Sequence, residues 1–253
     1  MTTALITNDD GIDSPGLHTL ARIALDAGCS VIIAAPAEQS SGSSASIMGA
    51  ELDGRIRMSR RSIPGLESVP TFAVRAAPAL ISLIAAHGAF GVRPDIVLSG
   101  INRGANVGHA ILHSGTAGAA LTAGVNGALG IAVSLDVGLD PTALHWDAAA
   151  THVRTLLPIL LAEPAGTVYN LNVPNLDSAT HLREGPLAAF GIVQTTMTQH
   201  DGLDEHDIRL SVADTPADQE EGTDAALLAK GFATVTSVTP VRESARAVIL
   251  PNG

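Results

Sequence analysis

Short apolar runs alternate with segments of helical spacing along the first 175 residues. Apolar residues at every third or fourth position predict helices over residues 16–28, 78–86, 114–128 and 142–162. Continuous apolar runs are typical of strands that a parallel sheet buries on both faces. We predict strands at residues 2–7, 31–35, 95–98, 130–135 and 167–173, with shorter ones within 51–60 and 69–75. This alternation predicts an α/β fold with a mostly parallel sheet and helices on both faces.

The regular pattern ends at Pro174. Residues 201–224 contain nine acidic residues and one arginine, which predicts a solvated arm or loop. A short helix and a final strand are predicted over residues 223–238. We therefore divide the chain into a core (1–175) and a C-terminal extension (176–253). The extension lacks the apolar pattern of a separate core, so we expect it to serve oligomerisation.

Composition excludes several classes of partner. The net charge is −11 without a basic run, and aromatic residues make up 2% of the chain, so a nucleic acid polymer is not expected as the main partner. The chain has no apolar run of about 18 residues, so no membrane partner is expected. The single cysteine, Cys29, excludes an internal disulfide, and the N-terminus lacks a signal-peptide pattern. We expect a cytoplasmic protein.

Two adjacent carboxylates follow the first predicted strand, at Asp9 and Asp10. At ~4 Å and an effective dielectric constant of about 20, two like charges repel by roughly 4 kcal/mol. A divalent cation would remove this repulsion, and ligands of open α/β sheets bind at the carboxyl ends of strands. Asp, Asn, Gly and Pro also favour turns. The stretch 7–16 is therefore either a metal site or an Asp-rich turn.

Polar loops follow two further predicted strands, and thus belong to the same sheet edge. One carries five serines within 37–48, and the other contains Asn102 and Asn106. Residues 113–116 (His-Ser-Gly-Thr) then open a helix, whose free N–H groups and dipole could bind an anion. An ordinary helix N-cap is the alternative at these positions.

Six strings of residues, in the same order along the chain, resemble those of the SurE (survival protein E) nucleotidases. They are Thr-Asn-Asp-Asp-Gly-Ile-Asp-Ser-Pro-Gly (7–16), Ala-Pro…Ser-Ser-Gly (35–42), Ser-Gly-Ile-Asn-Arg-Gly-Ala-Asn-Val-Gly (99–108), Ser-Gly-Thr-Ala-Gly-Ala-Ala (114–120), Asn-Val-Pro (172–174) and Gly-Thr-Asp…Gly-Phe (222–232). The resemblance implies a Rossmann-like three-layer α/β/α sandwich that hydrolyses nucleoside monophosphates with one divalent metal ion per subunit.

The matched motifs imply a specific site. The implied metal ligands are Asp9, Asp10, Ser41 and Asn102. These four oxygen donors suit a hard cation such as Mg²⁺ or Mn²⁺. The substrate or phosphate site comprises Asn8, Gly42, Ser44, Arg103, Asn106, Ser114, Gly115 and Thr116. The candidate catalytic residues are Asp9, Asp10 and His113, with either aspartate as a possible general base and His113 as the acid for the leaving oxygen.

The chain departs from the family pattern near the substrate. Ala37-Glu38-Gln39-Ser40 replaces a usual Asp-Arg-Asn-Arg, which removes two positive charges, and Thr122 stands where Glu is common. His113 replaces a common Tyr, and it is either a proton donor or a polar helix flank. Arg103 is either a substrate ligand or a solvated loop residue.

The sequence also permits two other functions. A haloacid-dehalogenase-like phosphatase with Asp9 as nucleophile would need a carboxylate at position 11, which is Gly. A nucleotide- or phosphate-binding regulatory module on the same fold is the non-enzymatic alternative, because the 37–40 segment is altered. We expect a homodimer or homotetramer that acts on a nucleoside monophosphate or another small phosphomonoester.

Overall fold

A computed structural model describes residues 1–49, 51–52, 54–138, 141–178, 180–189 and 220–243. In these ranges the strands are β1 (Thr3–Thr7), β2 (Ser30–Pro36), β3 (Glu51–Leu52), β4 (Arg55–Ile56), β5 (Met58–Arg60), β6 (Thr71–Val74), β7 (Ile96–Arg103), β8 (Leu129–Asp136), β9 (Val168–Pro174), β10 (Leu182–Glu184) and β11 (Ala233–Val238). The helices are α1 (Pro15–Asp26), α2 (Pro78–Ala86), α3 (Gly115–Val125), α4 (Trp146–Leu160) and α5 (Asp224–Ala229). A 3₁₀ helix, Gly108–His113, precedes α3.

The main sheet has the strand order β10-β11-β9-β8-β7-β1-β2-β6-β5. The strands from β9 to β6 in this order are parallel, whereas β5 and β11 pair antiparallel with β6 and β9. The strand β1 lies between β2 and β7, and the chain leaves β1 first toward the β2 side. The order therefore reverses between β1 and β7, which is where open α/β sheets bind ligands.

Helices cover both faces of the sheet and form a three-layer α/β/α sandwich, as predicted. On one face, Leu17 and Leu20 of α1 share a buried cluster with Val153 of α4. On the other face, Ile81 of α2 and Ala123 of α3 pack against the central strands. Small residues let α3 approach the sheet closely, since a Cβ at Gly130 would collide with the carbonyl oxygen of Ala120.

Two predicted boundaries are wrong. The strand predicted at 95–98 continues to Arg103, because Asn102 and Arg103 pair with β8 after a register shift. The helix predicted from residue 142 begins only at Trp146. The preceding segment is held in a non-helical conformation by Asn175, whose side chain binds the backbone of Ala143 and His145. Both differences arise from contacts with distant residues, which local periodicity does not encode.

The described part of the C-terminal extension joins the main sheet and forms no core of its own. The strand β11 pairs with β9 along five residues, and β10 adds to β11 at the sheet edge. Most of the acidic arm predicted over 201–224 lies outside the described residues. The role of the extension in oligomerisation stays a prediction. None of the helices described is long and apolar enough to cross a membrane.

Candidate active site

A tight turn after β1 presents the two adjacent carboxylates. Asn8 is fully buried, and its side chain both accepts a hydrogen bond from the Gly11 N–H (3.1 Å) and donates one to the Gly11 carbonyl (3.0 Å). Gly11 has φ +102°, a conformation that glycine adopts without strain. The Asn8 side chain thereby closes the turn locally and directs Asp9 and Asp10 to the carboxyl edge of the sheet.

Burial raises the pKa of both carboxyl groups. Asp9 is 6% exposed, and its burial, together with the neighbouring Asp10, raises its pKa to about 6. The hydrogen bond that Thr116 donates to Asp9 lowers this pKa and offsets part of the increase. Burial also raises the pKa of Asp10, against the backbone N–H of Arg103, which donates to Oδ2 at 3.0 Å. In the described ranges, no basic side chain forms an ion pair with either aspartate. A bound cation would therefore compensate the charge of the two carboxylates.

An open cleft of ≈ 350 Å³ contains all four implied metal ligands. Polar loops from three strand ends meet there because β1, β2 and β7 are adjacent parallel strands. Nine of the predicted site residues line it: Asp9, Asp10, Ser41, Gly42, Asn102, Arg103, Asn106, His113 and Ser114.

The donor set fits a hard divalent cation. Two carboxylates, a hydroxyl and an amide oxygen face one cleft, and hard cations prefer oxygen ligands. The amide of Asn102 donates to the Gly104 carbonyl at 2.8 Å, which leaves its carboxamide oxygen available as a ligand. The described residues contain no cluster of three His, Cys, Asp or Glu side chains that could hold a metal ion.

The start of α3 lies beside Asp9 at the cleft. Ser114 caps the helix by accepting a hydrogen bond from the Ala117 N–H at 3.0 Å. Gly115 allows the helix to approach Asp9, since a Cβ there would lie 2.5 Å from Ser43 Oγ and 3.0 Å from Asp9 Oδ2. The positive end of a helix dipole thus lies beside the carboxylate pair, where it favours negative charge.

Four residues predicted to bind substrate or phosphate do not line the cleft. Asn8, Gly115 and Thr116 are buried behind the lining residues, and Thr116 directs its hydroxyl to Asp9. Ser44 has φ 55° and donates its hydroxyl to the Leu112 carbonyl at 2.5 Å. Thr116 contacts Asp9 and Ser44 contacts the segment before α3, and direct contact of all four residues with substrate stays a prediction.

The loop formed by residues 102–108, here called the asparagine loop, is bound to buried groups on two sides. From the sheet, Ser134, Asn170 and Asn172 bind Asn106. From the C-terminal extension, the fully buried carboxylate of Asp224 accepts hydrogen bonds from three N–H groups, one of them that of Gly108 (2.8 Å). None of these four side chains was predicted to belong to the site. The only signal was that Asn172 and Asp224 fall within matched motifs.

The loop formed by residues 37–48, here called the serine loop, separates the cleft from a second, larger one. The second cleft has a volume of ≈ 780 Å³ and shares Gln39 and Gly42 with the first. Gln39 was missed as a site residue, and its side chain donates to Ser41 Oγ at 2.9 Å. Arg75 and Met48 line the second cleft.

Two ionisable side chains of the first cleft are exposed to solvent. Arg103 and His113 are exposed and line the first cleft. His113 is the last residue of the 3₁₀ helix that precedes α3. His113 thus directly precedes the start of α3, and Arg103 is the last residue of β7.

The fold and the site together define a Rossmann-like α/β protein with a cleft lined by oxygen donors beside a helix N-terminus, at the point where the strand order reverses. The family model described as "Survival protein SurE" matches residues 4–200. The chain belongs to the SurE family.

Known relatives support the assignment over most of the chain. The protein is 34% identical to "5'-nucleotidase SurE 1" of Burkholderia lata, over 92% of this chain and 88% of that one. It is 38% identical to "5'-nucleotidase SurE" of Xanthomonas euvesicatoria, over 68% of this chain and 63% of that protein. The crystal structure of the SurE protein from Aquifex aeolicus is similar with a TM-score of 0.76 and 25% identity, over 94% of both chains.

Proposed function

We propose that the protein is a divalent-metal-dependent phosphomonoesterase that hydrolyses nucleoside monophosphates to nucleoside and phosphate. One observation carries the proposal: the carboxylate pair Asp9 and Asp10, without a basic partner in the described residues, shares a cleft with the start of α3. A cation subsite thus adjoins an anion subsite, as phosphoryl transfer requires. The similarity to relatives named 5'-nucleotidase supports the nucleotide as substrate.

Asp9, Asp10, Ser41 and Asn102 would hold one Mg²⁺ or Mn²⁺ ion. Bound there, such an ion supplies charge neutralisation at the phosphoryl oxygens and a water of lowered pKa. Thr116 orients Asp9 through its hydroxyl, and the Arg103 N–H orients Asp10. Both carboxylates are therefore fixed before substrate binds.

The remaining polar groups would bind the phosphoryl group and move protons. Ser114, Asn106 and Gly42 line the cleft beside the aspartates and can surround the phosphate. A water attacks phosphorus, one of the aspartates accepts its proton, and the ester P–O bond breaks. The leaving oxygen takes a proton from His113, which lines the same cleft. The second cleft beyond Gln39 has room for the nucleoside.

Phosphate release from a panel of nucleoside 5'- and 3'-monophosphates, with and without Mn²⁺ or Mg²⁺, tests the proposal. Asp9→Asn and Asp10→Asn should each abolish metal-dependent turnover without unfolding the protein. Asp13→Asn is the matched control, because Asp13 lies in the same segment but is exposed and pairs with Arg61. Retention of most turnover in either variant would contradict the metal site.

The altered serine loop favours a second function, that of a phosphate- or nucleotide-binding module without turnover. Glu38 and Ser40 stand where the family usually has basic residues, and both line the second cleft. Metal-dependent nucleotide binding without phosphate release from any substrate in the panel would support this alternative.

We also propose that the C-terminal extension mediates a homodimer or homotetramer, since its described part adds strands at the sheet edge. Light scattering at micromolar concentration should show more than one subunit, and a monomer would contradict this.

A cytoplasmic location, expected from the single cysteine, is tested by cell fractionation.

A further inference from the structure

The backbone of Asn106 is held in two directions by one buried side chain. Asn172 accepts a hydrogen bond from the Asn106 N–H at 2.7 Å and donates one to the Asn106 carbonyl at 2.8 Å. Asn170 donates a second hydrogen bond to the same carbonyl, also at 2.8 Å. Asn170 and Asn172 are two residues apart on β9, so their side chains lie on the same face of the sheet.

The side chain of Asn106 is bound by the neighbouring strand. Its amide donates to Ser134 Oγ at 2.8 Å, and Ser134 pairs with Asn172 across β8 and β9. Asn106 is thus fixed at its N–H, its carbonyl and its carboxamide nitrogen. Within the described chain its carboxamide oxygen makes no hydrogen bond, and Asn106 lines the catalytic cleft.

The burial of these polar side chains indicates that they do more than stabilise the sheet. Ser134 and Asn172 are fully buried and Asn170 is 2% exposed, and burying a polar group is unfavourable unless it is hydrogen-bonded. The carboxamide oxygen of Asn170 is buried without a partner among the described residues. Apolar residues at these strand positions could stabilise the sheet equally well. Replacing both partners of a hydrogen bond by apolar groups of the same shape changes the stability of a protein little.

We propose that Asn172, assisted by Asn170, is a positioning residue that fixes Asn106 for recognition of the phosphoryl group. This inference rests on the proposed function, because it assigns the phosphate to the part of the cleft beside Asn106. The two asparagines act only through Asn106, since neither lines the cleft. A fixed ligand loses little conformational freedom when substrate binds, so positioning increases affinity.

The chain contains a matched control in Asn175. Its side chain accepts a hydrogen bond from the His145 N–H at 2.8 Å and donates one to the Ala143 carbonyl at 2.7 Å. This repeats the double contact of Asn172 with the backbone, but it holds the segment before α4. Neither Asn175 nor the two backbone groups it binds line the catalytic cleft.

The test compares Asn172→Ala, Asn170→Ala and Asn175→Ala. The dissociation constant of inorganic phosphate is measured by calorimetry with Mn²⁺ present, together with KM and kcat for a nucleoside 5'-monophosphate. Asn172→Ala should weaken phosphate binding by about 10- to 100-fold, as expected for a ligand misplaced by roughly 1 Å. Asn170→Ala should weaken it severalfold. Asn175→Ala should lower stability but change phosphate binding less than about twofold.

A double mutant identifies the route of the effect. If Asn172 acts through Asn106, Asn106→Ala/Asn172→Ala should bind phosphate no more weakly than Asn106→Ala alone, because coupled residues are not additive. Additive losses would overturn the proposal, as would a folded Asn172→Ala protein with wild-type phosphate affinity. Should Asn172→Ala not fold, Asn170→Ala decides, and unchanged affinity there overturns the inference.

The phosphate measurement also separates this inference from the proposed function. Phosphate binding that depends on Asn172, in a protein that hydrolyses no phosphomonoester, would contradict the proposed enzymatic function and support the positioning role. Normal hydrolysis with phosphate affinity independent of Asn172 would do the reverse.

Discussion

The asparagine loop and the serine loop both carry implied metal and phosphate ligands, yet they are held very differently. Buried side chains of β8, β9 and α5 bind the asparagine loop, and Val107 within it is 1% exposed. The serine loop has few such contacts: the Ser40 N–H donates to the Asp9 carbonyl at 2.7 Å, while Ile47 and Met48 are 68% and 75% exposed.

This difference explains why the 37–40 segment of the serine loop can depart from the family pattern. In the asparagine loop, a substitution would break hydrogen bonds to buried groups, which is costly. Glu38 is exposed and Ser40 is partly exposed, so replacing basic residues at these two positions of the serine loop costs the fold little. We therefore expect the asparagine loop to maintain the geometry of the reacting group and the serine loop to be the region in which substrate preference changes.

Among the substitutions that compare the two loops, the largest effect on kcat/KM is expected at the contact between the serine loop and α3. Gly115→Ala would place a Cβ 2.5 Å from Ser43 Oγ and 3.0 Å from Asp9 Oδ2. The displaced carboxylate should lower kcat/KM for nucleoside monophosphates by about 100-fold. Thr122→Ala on the same helix should retain most activity. Adding Ser43→Ala to Gly115→Ala should restore part of the loss, and no recovery would mean that Ser43 does not set the position of α3.

Asp224→Asn tests whether the C-terminal extension stabilises the asparagine loop. The amide cannot accept all the hydrogen bonds that the carboxylate accepts from the N–H groups of Gly108, Ala188 and Ala225. The free energy of unfolding should fall by about 2–3 kcal/mol, as for hydrogen bonds to a buried charged group. Urea denaturation measures the change, with the exposed Asp26→Asn as control within about 0.5 kcal/mol. Equal free energies of unfolding for the two variants would show that Asp224 does not stabilise the asparagine loop.

Arg103→Ala addresses the charged group at the end of the asparagine loop. The exposed guanidinium lines the cleft and makes no ion pair with any described residue. If it binds the phosphate, KM for nucleotides should rise roughly 10-fold, which corresponds to about 1.4 kcal/mol. The metal affinity, measured by titration with Mn²⁺, should stay unchanged. An unchanged KM would identify Arg103 as a solvated loop residue.

The smallest effect is expected from Glu38→Arg in the serine loop. A positive charge at the exposed position 38 should raise kcat/KM for nucleotides by roughly threefold, because exposed charges are screened. The gain should diminish at high salt. Steady-state kinetics at two ionic strengths measures this change. If kcat/KM rises equally for nucleotides and for small phosphate esters with uncharged leaving groups, position 38 does not affect specificity.

The sequence determined the fold class, the order of the core elements and the position of the carboxylate pair. Continuous apolar runs and the helical spacing of apolar residues are local features of the sequence. The apolar runs therefore predicted the strands β1, β2 and β8 directly. The motif after β1 is equally local, because Asn8 and Gly11 form the turn with their own neighbours. The family resemblance followed from the same contiguous residues and is confirmed.

Only the tertiary structure decided which distant groups support the site. Thr116 binds Asp9 across 107 positions of the chain, and Asp224 binds Gly108 across 116. Asn170 and Asn172 resemble ordinary polar strand residues until β8 and β9 are placed beside the asparagine loop. Hydrogen bonds between residues far apart in sequence leave no periodic signal, because they depend on how the sheet brings its strand ends together.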